Sequence, residues 1–233
     1  MRLTVVIPVF DEVRTLPELL RRVRETRWEK QIIVVDDCST DGTRALLQEM
    51  ESEEDLTVLY HARNQGKGAS LRSGFAIADG DVVVVQDADL EYDPSDWEAL
   101  LDPIERGEAD VVYGSRFRGG GPARVHLFWH QVANRFLTGL SNMFTNLNLS
   151  DMETCYKAFR REILDGMELV SDRFGFEPEF TAKIARRRFD GRRVRVYEVP
   201  VSYYGRDYGD GKKISWKDGV AAVWHILRFN LFP

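Results

Sequence analysis

Short apolar runs alternate with amphipathic ones through the first half of the chain. Residues 3–7, 31–35, 56–60, 82–86 and 110–114 are of strand length and carry few polar side chains, the pattern of strands covered on both faces. Between them the apolar positions recur at helical spacing, first in the stripe Leu16, Leu19, Leu20 and Val23, then over about 43–51, 68–78 and 95–106. Strands and helices in that order predict an α/β fold with a doubly wound, mostly parallel sheet. The loops at 8–12, 36–42, 63–68, 87–93 and 115–121 then leave one edge, where open sheets of this kind bind ligands.

Further on the pattern turns helical. Trp129, Val132, Ala133, Phe136, Leu137, Leu140, Met143, Phe144 and Leu147 form a stripe over five turns. Trp216, Val220, Val223, Trp224, Leu227 and Leu231 repeat it at the C-terminus. Basic residues flank both, Arg124 and Arg135 with His130 at the first, Lys212, Lys213, Lys217 and Arg228 at the second. Core packing would account for either helix alone; together they favour two amphipathic helices lying in a membrane interface. No run approaches the roughly 18 apolar residues of a membrane span, and the opening MRLTVVIP reads as a first strand rather than a signal peptide.

At 233 residues and 43% hydrophobic content the chain is expected to form a single domain with an ordinary core. Cys38 and Cys155 have no metal-type spacing, which predicts a reduced, cytoplasmic protein. A net charge of -6 argues against nucleic acid as a partner. The segment 183–213 nevertheless holds ten Lys and Arg against four Asp and Glu, which suits either a solvated helix end or an anionic ligand.

Candidate chemistry sits at two strand ends. The apolar run 82–85 leads through Gln86 into Asp87 and Asp89, which strand alternation can point the same way. Paired hard oxygens suit Mg²⁺ or Mn²⁺ carrying a diphosphate, although an Asp-x-Asp also serves as a turn. The run at 34–35 ends likewise in Asp36 and Asp37, of which one is expected to be structural and Asp37 free to accept hydrogen bonds from a nucleoside walled by Pro8, Phe10 and Glu12. Ser39, Thr40 and Asp41 can cap the following helix. His126 and His130 are spaced for zinc, but no third ligand is suitably placed.

Six ordered motifs are VIPVFDE at 6–12, VVDDCSTDG at 34–42, GDVVVVQDADL at 80–90, GSRF at 114–117, DMETCYK at 151–157 and EVPVSYYGR at 198–206. On these the chain resembles the family-two inverting glycosyltransferases of GT-A fold, and within them the dolichol-phosphate and polyprenyl-phosphate mannosyl- and glucosyltransferases. The resemblance implies a nucleotide-sugar-binding half at 1–121, an acceptor and lid half at 122–213 and an amphipathic C-terminal helix at 214–233. Pro8, Phe10, Glu12, Val35 and Asp37 would surround the nucleoside. Asp87, Ala88 and Asp89 would hold nucleotide and metal, with Asp89 the principal metal ligand and Glu91 a further one. Arg116 would meet a phosphate, and Arg206 with Lys212 would close over the diphosphate from a glycine-rich lid at 204–213. Where relatives place an Arg and a Ser for the acceptor phosphate, this chain has His130 and Asn134.

A phosphate acceptor is already anionic and needs no base, whereas a hydroxyl does. The expected reaction is an in-line, inverting transfer of a hexose, first of all mannose from GDP-mannose, to a polyprenyl or dolichyl phosphate at the cytoplasmic face of a membrane. Glu177 and Glu179 stand as bases if one is needed, or as acceptors of sugar hydroxyls. Transfer to a glycan hydroxyl, and a non-catalytic nucleotide-sugar-binding partner of a membrane glycosyltransferase, remain alternatives; a nucleotidyltransferase lacks its glycine-rich basic loop. Guanine or uracil, the sugar and the lipid stay open.

Overall fold

The computed structural model of the protein describes residues 1–119, 128–206 and 216–232. Five strands and four helices alternate in the order β1 (Leu3–Val9), α1 (Leu16–Glu25), β2 (Lys30–Asp36), α2 (Thr43–Met50), β3 (Leu56–Tyr60), α3 (Lys67–Phe75), β4 (Val82–Val85), α4 (Trp97–Glu105) and β5 (Val111–Ser115). After them come α5 (Phe128–Thr145), β6 (Lys157–Arg160), α6 (Phe176–Arg186), a hairpin of β7 (Arg188–Phe189) and β8 (Arg192–Arg193), β9 (Val196–Pro200) and α7 (Trp216–Leu231).

Seven strands form one sheet in the order β3-β2-β1-β4-β6-β5-β9. Strand alternation divides its core in two. Val5, Ile7, Val82 and Val84 face α1, α2 and α4, while Val6, Val83 and Val85 face α3, α5, α6 and α7. Each fully buried valine contributes about 1.5–3 kcal/mol, so β4 cannot slip by one residue without turning its apolar set over. That register holds Asp87 and Asp89 just beyond the strand end.

One strand departs from the parallel pattern. β6 runs antiparallel between β4 and β5, pairing Lys157 with both Val85 and Tyr113. Its reversed direction carries the preceding segment, residues 151–156, to the carboxyl ends of its neighbours. The first two loops of that edge are laced together: Ser39 Oγ accepts from the Asp11 amide at 2.9 Å, and Asp11 Oδ1 accepts from the Thr40 amide at 2.7 Å. The Ser39–Asp41 cluster therefore joins loops more than it caps α2, whose N-cap is Gly42 with no side-chain cap.

No described helix is long and apolar enough to cross a membrane. α5 and α7 pack on each other and on α6, burying Leu137, Ala222, Ile226 and Phe229. Their outer faces stay apolar, with Trp129 at 75%, Phe136 at 61%, Met143 at 70% and Trp224 at 59% exposure.

Candidate active site

A cleft of about 980 Å³ opens at the carboxyl edge of the sheet. Pro8, Phe10, Glu12 and Asp37 line it from the first two loops, Asp87, Ala88, Asp89 and Glu91 from the loop after β4, and Arg116 from the end of β5. His130 and Asn134 of α5 and Arg206 complete the expected set. Val35 does not reach the cleft: it pairs with Pro8 inside the sheet and is fully buried. Lys212 and His126 lie outside the described residues.

Gln86 lies fully buried between the end of β4 and the carboxylate loop. Its Oε1 accepts from Tyr156 Oη at 2.7 Å and from Trp97 Nε1 at 3.2 Å, which ties the carboxylate loop to β6 and α4. Asp87 then faces Lys67, whose Nζ lies 2.8 Å from Oδ1. Burial alone would discharge both groups, but the pair holds the Lys67 ammonium well above its ordinary pKa and the Asp87 carboxyl below its own. Lys67 opens α3 in the segment NQGKG, and nothing in helical or strand periodicity marks it; its glycine neighbours were the available signal.

Asp89 is different. Burial, reinforced by the charges of Asp87 and Glu91, pushes its carboxyl up to about 7. Arg206 answers that charge: its guanidinium lies 2.8 Å from Asp89 Oδ2, 3.1 Å from Glu12 Oε1 and 3.5 Å from Glu91 Oε1. One arginine is thus held among three carboxylates.

This geometry bears on three expectations. Among the described residues no group of three or more His, Cys, Asp and Glu is gathered to hold a metal, so Asp87, Asp89 and Glu91 do not form a three-ligand cluster by themselves. Glu91 is engaged, accepting from Tyr203 Oη at 2.6 Å and from the Arg206 amide at 2.9 Å, so it anchors the base of the 204–206 segment. Asp37 is not free either. It accepts from the amides of Gln65 at 2.8 Å and Gly66 at 2.6 Å and meets His61 Nδ1 at 2.7 Å, bracing the turn into α3. Asp36 is structural as expected, taking the Ser39 amide and Arg44 Nε.

Gly66 has φ +98°, and a Cβ there would lie 2.6 Å from the Asp172 carbonyl oxygen. Gly66→Ala should therefore cost about 1–3 kcal/mol, lowering Tm by about 2–4 °C per kcal/mol. It should also disturb the contact of Lys67 with Asp87. Thermal melts check the constraint; an unchanged melt would show that the turn is not constrained as described.

On the far wall, Arg116 is paired in fork fashion with Asp151, at 2.7 Å and 2.8 Å, and Asn134 Nδ2 reaches the same carboxylate at 3.2 Å. Arg116 therefore presents to the cleft a cation already matched by a buried anion. Glu179 is structural, its carboxylate accepting from the Val170 and Ser171 amides and pairing with Lys183. Glu177 stays in the cleft wall. Glu153 joins it there, a residue that periodicity did not single out. Burial first, then the Glu177 charge, pushes the Glu153 carboxyl up to about 8, with Lys157 and Arg116 opposing and Asp151 adding.

A raised carboxyl pKa means that the folded protein holds a proton the unfolded chain has lost. Stability on this account is greatest below the ordinary value of 4.5 and is lost as pH rises to about 8. Glu153→Gln should thus raise Tm at pH 8 by a few degrees, the gap closing at acid pH. A gap independent of pH would contradict the assignment.

Comparison with known proteins agrees with this geometry. The sequence model of glycosyl transferase family 2 matches residues 4–167. An undecaprenyl-phosphate mannosyltransferase of Micrococcus luteus is 31% identical over 245 aligned positions, covering 99% of this chain and 95% of its own. An undecaprenyl-phosphate 4-deoxy-4-formamido-L-arabinose transferase of Proteus mirabilis is 32% identical over 91% of this chain, which spans only 62% of that relative's length. Among solved structures, glucosyl-3-phosphoglycerate synthase from Mycobacterium tuberculosis, in complex with Mn²⁺, UDP and phosphoglyceric acid, superposes with a TM-score of 0.74 at 19% identity, covering 99% of this chain and 79% of that one. That likeness establishes a shared GT-A architecture. With a family match that spans the carboxylate loop at the end of β4, and a relative aligned over almost the whole of both chains, the chain belongs to glycosyl transferase family 2.

Proposed function

We propose that the protein transfers a hexose from a nucleotide sugar to a polyprenyl phosphate at a membrane surface. One observation carries the choice of acceptor. α5 and α7 line the cleft through His130, Asn134 and Ala222, and the same two helices expose Trp129, Phe136 and Trp224 on their outer faces. A lipid whose phosphate enters the cleft would leave its hydrocarbon beside that apolar face. The Micrococcus relative is named for an undecaprenyl-phosphate acceptor, which supports the reading.

The donor half fits a dication by the chemistry of its oxygens. Asp89, buried and repelled by its neighbours, is the carboxylate that a cation favours most, with Asp87 beside it. A divalent ion held by Asp89 and Asp87 together with diphosphate oxygens would neutralise the charge of the departing nucleotide. The synthase complex with Mn²⁺ and UDP supports a divalent ion without choosing between Mg²⁺ and Mn²⁺. Arg206 is stored on Glu12 and Asp89, and in the proposed cycle it transfers its guanidinium to the diphosphate when donor binds, with Lys212 as a second cation for the same charge. Lys67 holds Asp87 ionised throughout. Asp151 and Asn134 orient Arg116 at the acceptor side, with His130 one turn from Asn134. An acceptor phosphate needs no deprotonation, so its oxygen can bond directly to the anomeric carbon as the bond to the nucleoside diphosphate breaks, and that single in-line displacement inverts the carbon.

GDP-mannose is the first donor to test. The decisive assay measures GDP or UDP release from a panel of nucleotide hexoses, with Mg²⁺ or Mn²⁺, with and without a polyprenyl phosphate. Release that depends on the lipid phosphate is expected. Equal release with glycans, or none with any lipid phosphate, would overturn the acceptor.

A further inference from the structure

Two carboxylates in the cleft wall have oxygens that no protein group satisfies. Glu177 lies in the first turn of α6 at 3% exposure, and its Oε2 has no hydrogen-bond partner. Glu153, on the segment that antiparallel β6 brings to the edge, has a buried Oε1 equally unpartnered. Among the described residues no other carboxylate has such an oxygen. Buried polar atoms are paired in folded proteins as a rule, so two in one cavity point to a ligand that supplies donors.

Position says which part of the ligand. Lys67 lies 2.8 Å from Asp87 and 3.5 Å from Glu177, so a single ammonium separates Glu177 from the loop assigned to the diphosphate. The next group along a nucleotide sugar is the sugar ring. Chemistry argues against the alternatives: two acidic side chains offer neither the diphosphate nor the acceptor phosphate a donor set suited to an anion. Buried Lys157 donates through Nζ to the Thr154 carbonyl oxygen and leaves Glu153 Oε1 and Glu177 Oε2 without a hydrogen bond. Ring hydroxyls, which both donate and accept, can bond to a carboxylate and to a protonated carboxyl alike.

We propose that Glu153 and Glu177 form the subsite for the donor's sugar, each carboxylate receiving a ring hydroxyl and so selecting among hexoses. This rests on the glycosyl-transfer reading above. Glu177 had been a candidate from sequence; Glu153 and the pairing come from the tertiary arrangement.

The test is calorimetric titration, without acceptor, of wild type, Glu153→Gln and Glu177→Gln with GDP, UDP and their hexose conjugates in the presence of Mn²⁺. Each variant should bind the preferred nucleotide hexose about tenfold more weakly and bind the free nucleoside diphosphate as wild type does, which also reports an intact fold. Conjugates lacking one ring hydroxyl should bind wild type more weakly at particular positions, and a given variant should lose that discrimination at one of them. Loss of affinity that is equal for nucleotide and nucleotide hexose, or discrimination that survives in both variants, would overturn the subsite. Failure of wild type to bind any of these compounds would instead overturn the glycosyl-transfer reading and the subsite with it. Should a Gln variant not fold, Glu153→Asp or Glu177→Asp keeps the charge, withdraws the oxygen by one methylene and must show the same split between sugar and nucleotide.

Discussion

Asp89→Asn should reduce sugar transfer by about a hundred- to a thousandfold while leaving the protein folded. The side chain is buried at the end of β4, and Asn reproduces its shape. Its carboxyl is pushed up to about 7 by burial and by the nearby charges of Asp87 and Glu91, so removing the charge relieves repulsion. The lost contact to Arg206 is partly offset, because Glu12 still receives that guanidinium at 3.1 Å. Tm should therefore hold or rise as turnover collapses. Turnover falls for two reasons: the strand end loses the anion best placed for a dication, and Arg206 loses the anchor beside the diphosphate site. Parallel melts and product-release assays decide it. Turnover like wild type in the variant, or in wild type under excess chelator, would remove Asp89 from the centre of the reaction.

Replacing Trp129 and Trp224 together by Asp should abolish transfer to a long polyprenyl phosphate in vesicles and spare transfer to a short, water-soluble one. These tryptophans are 75% and 59% exposed, so the exchange empties no core. Withdrawing each from a lipid interface forfeits roughly 1.5–3 kcal/mol, together about a hundredfold or more in partitioning. Arg135 and Arg228, also exposed on these helices, add about 1 kcal/mol each against an anionic surface. Vesicle binding of wild type should accordingly weaken with salt. Leu227 is a poorer target because it is half-buried. If the doubly substituted protein still sediments with anionic vesicles and uses the long lipid normally, the outer faces of α5 and α7 are not the docking surface. Loss of activity on the short acceptor as well would place them in the fold or the cleft instead.

Periodicity was enough to locate β1 to β5 and the helices among them, because strand and helix spacing are local properties of the chain. It also placed Asp36, Asp37, Asp87 and Asp89 at strand ends. β6 escaped it: KAFR is four residues long, and its antiparallel insertion depends on partners more than forty residues away in Val111 and Tyr113. The two amphipathic helices were legible as helices, whereas their division into a cleft face, a core face and an outer apolar face was not, since one stripe can serve any of the three.

For this protein the succession of β1 to β5 with their helices, and the carboxylates at the strand ends, followed from sequence alone, because each depends on near neighbours. Availability of those carboxylates did not. Asp37 is engaged by the Gln65 and Gly66 amides and Glu91 by Tyr203, while Asp87 is paired through one oxygen with Lys67. Asp89 meets an arginine 117 residues distant, and Arg116 a buried Asp151. Glu153 and Glu177, the two acidic side chains among the described residues with a buried oxygen left unpartnered, are identified only by what surrounds them. Tertiary structure decided these points because a charged group's role is set by the groups the fold packs against it, and sequence spacing does not specify those contacts.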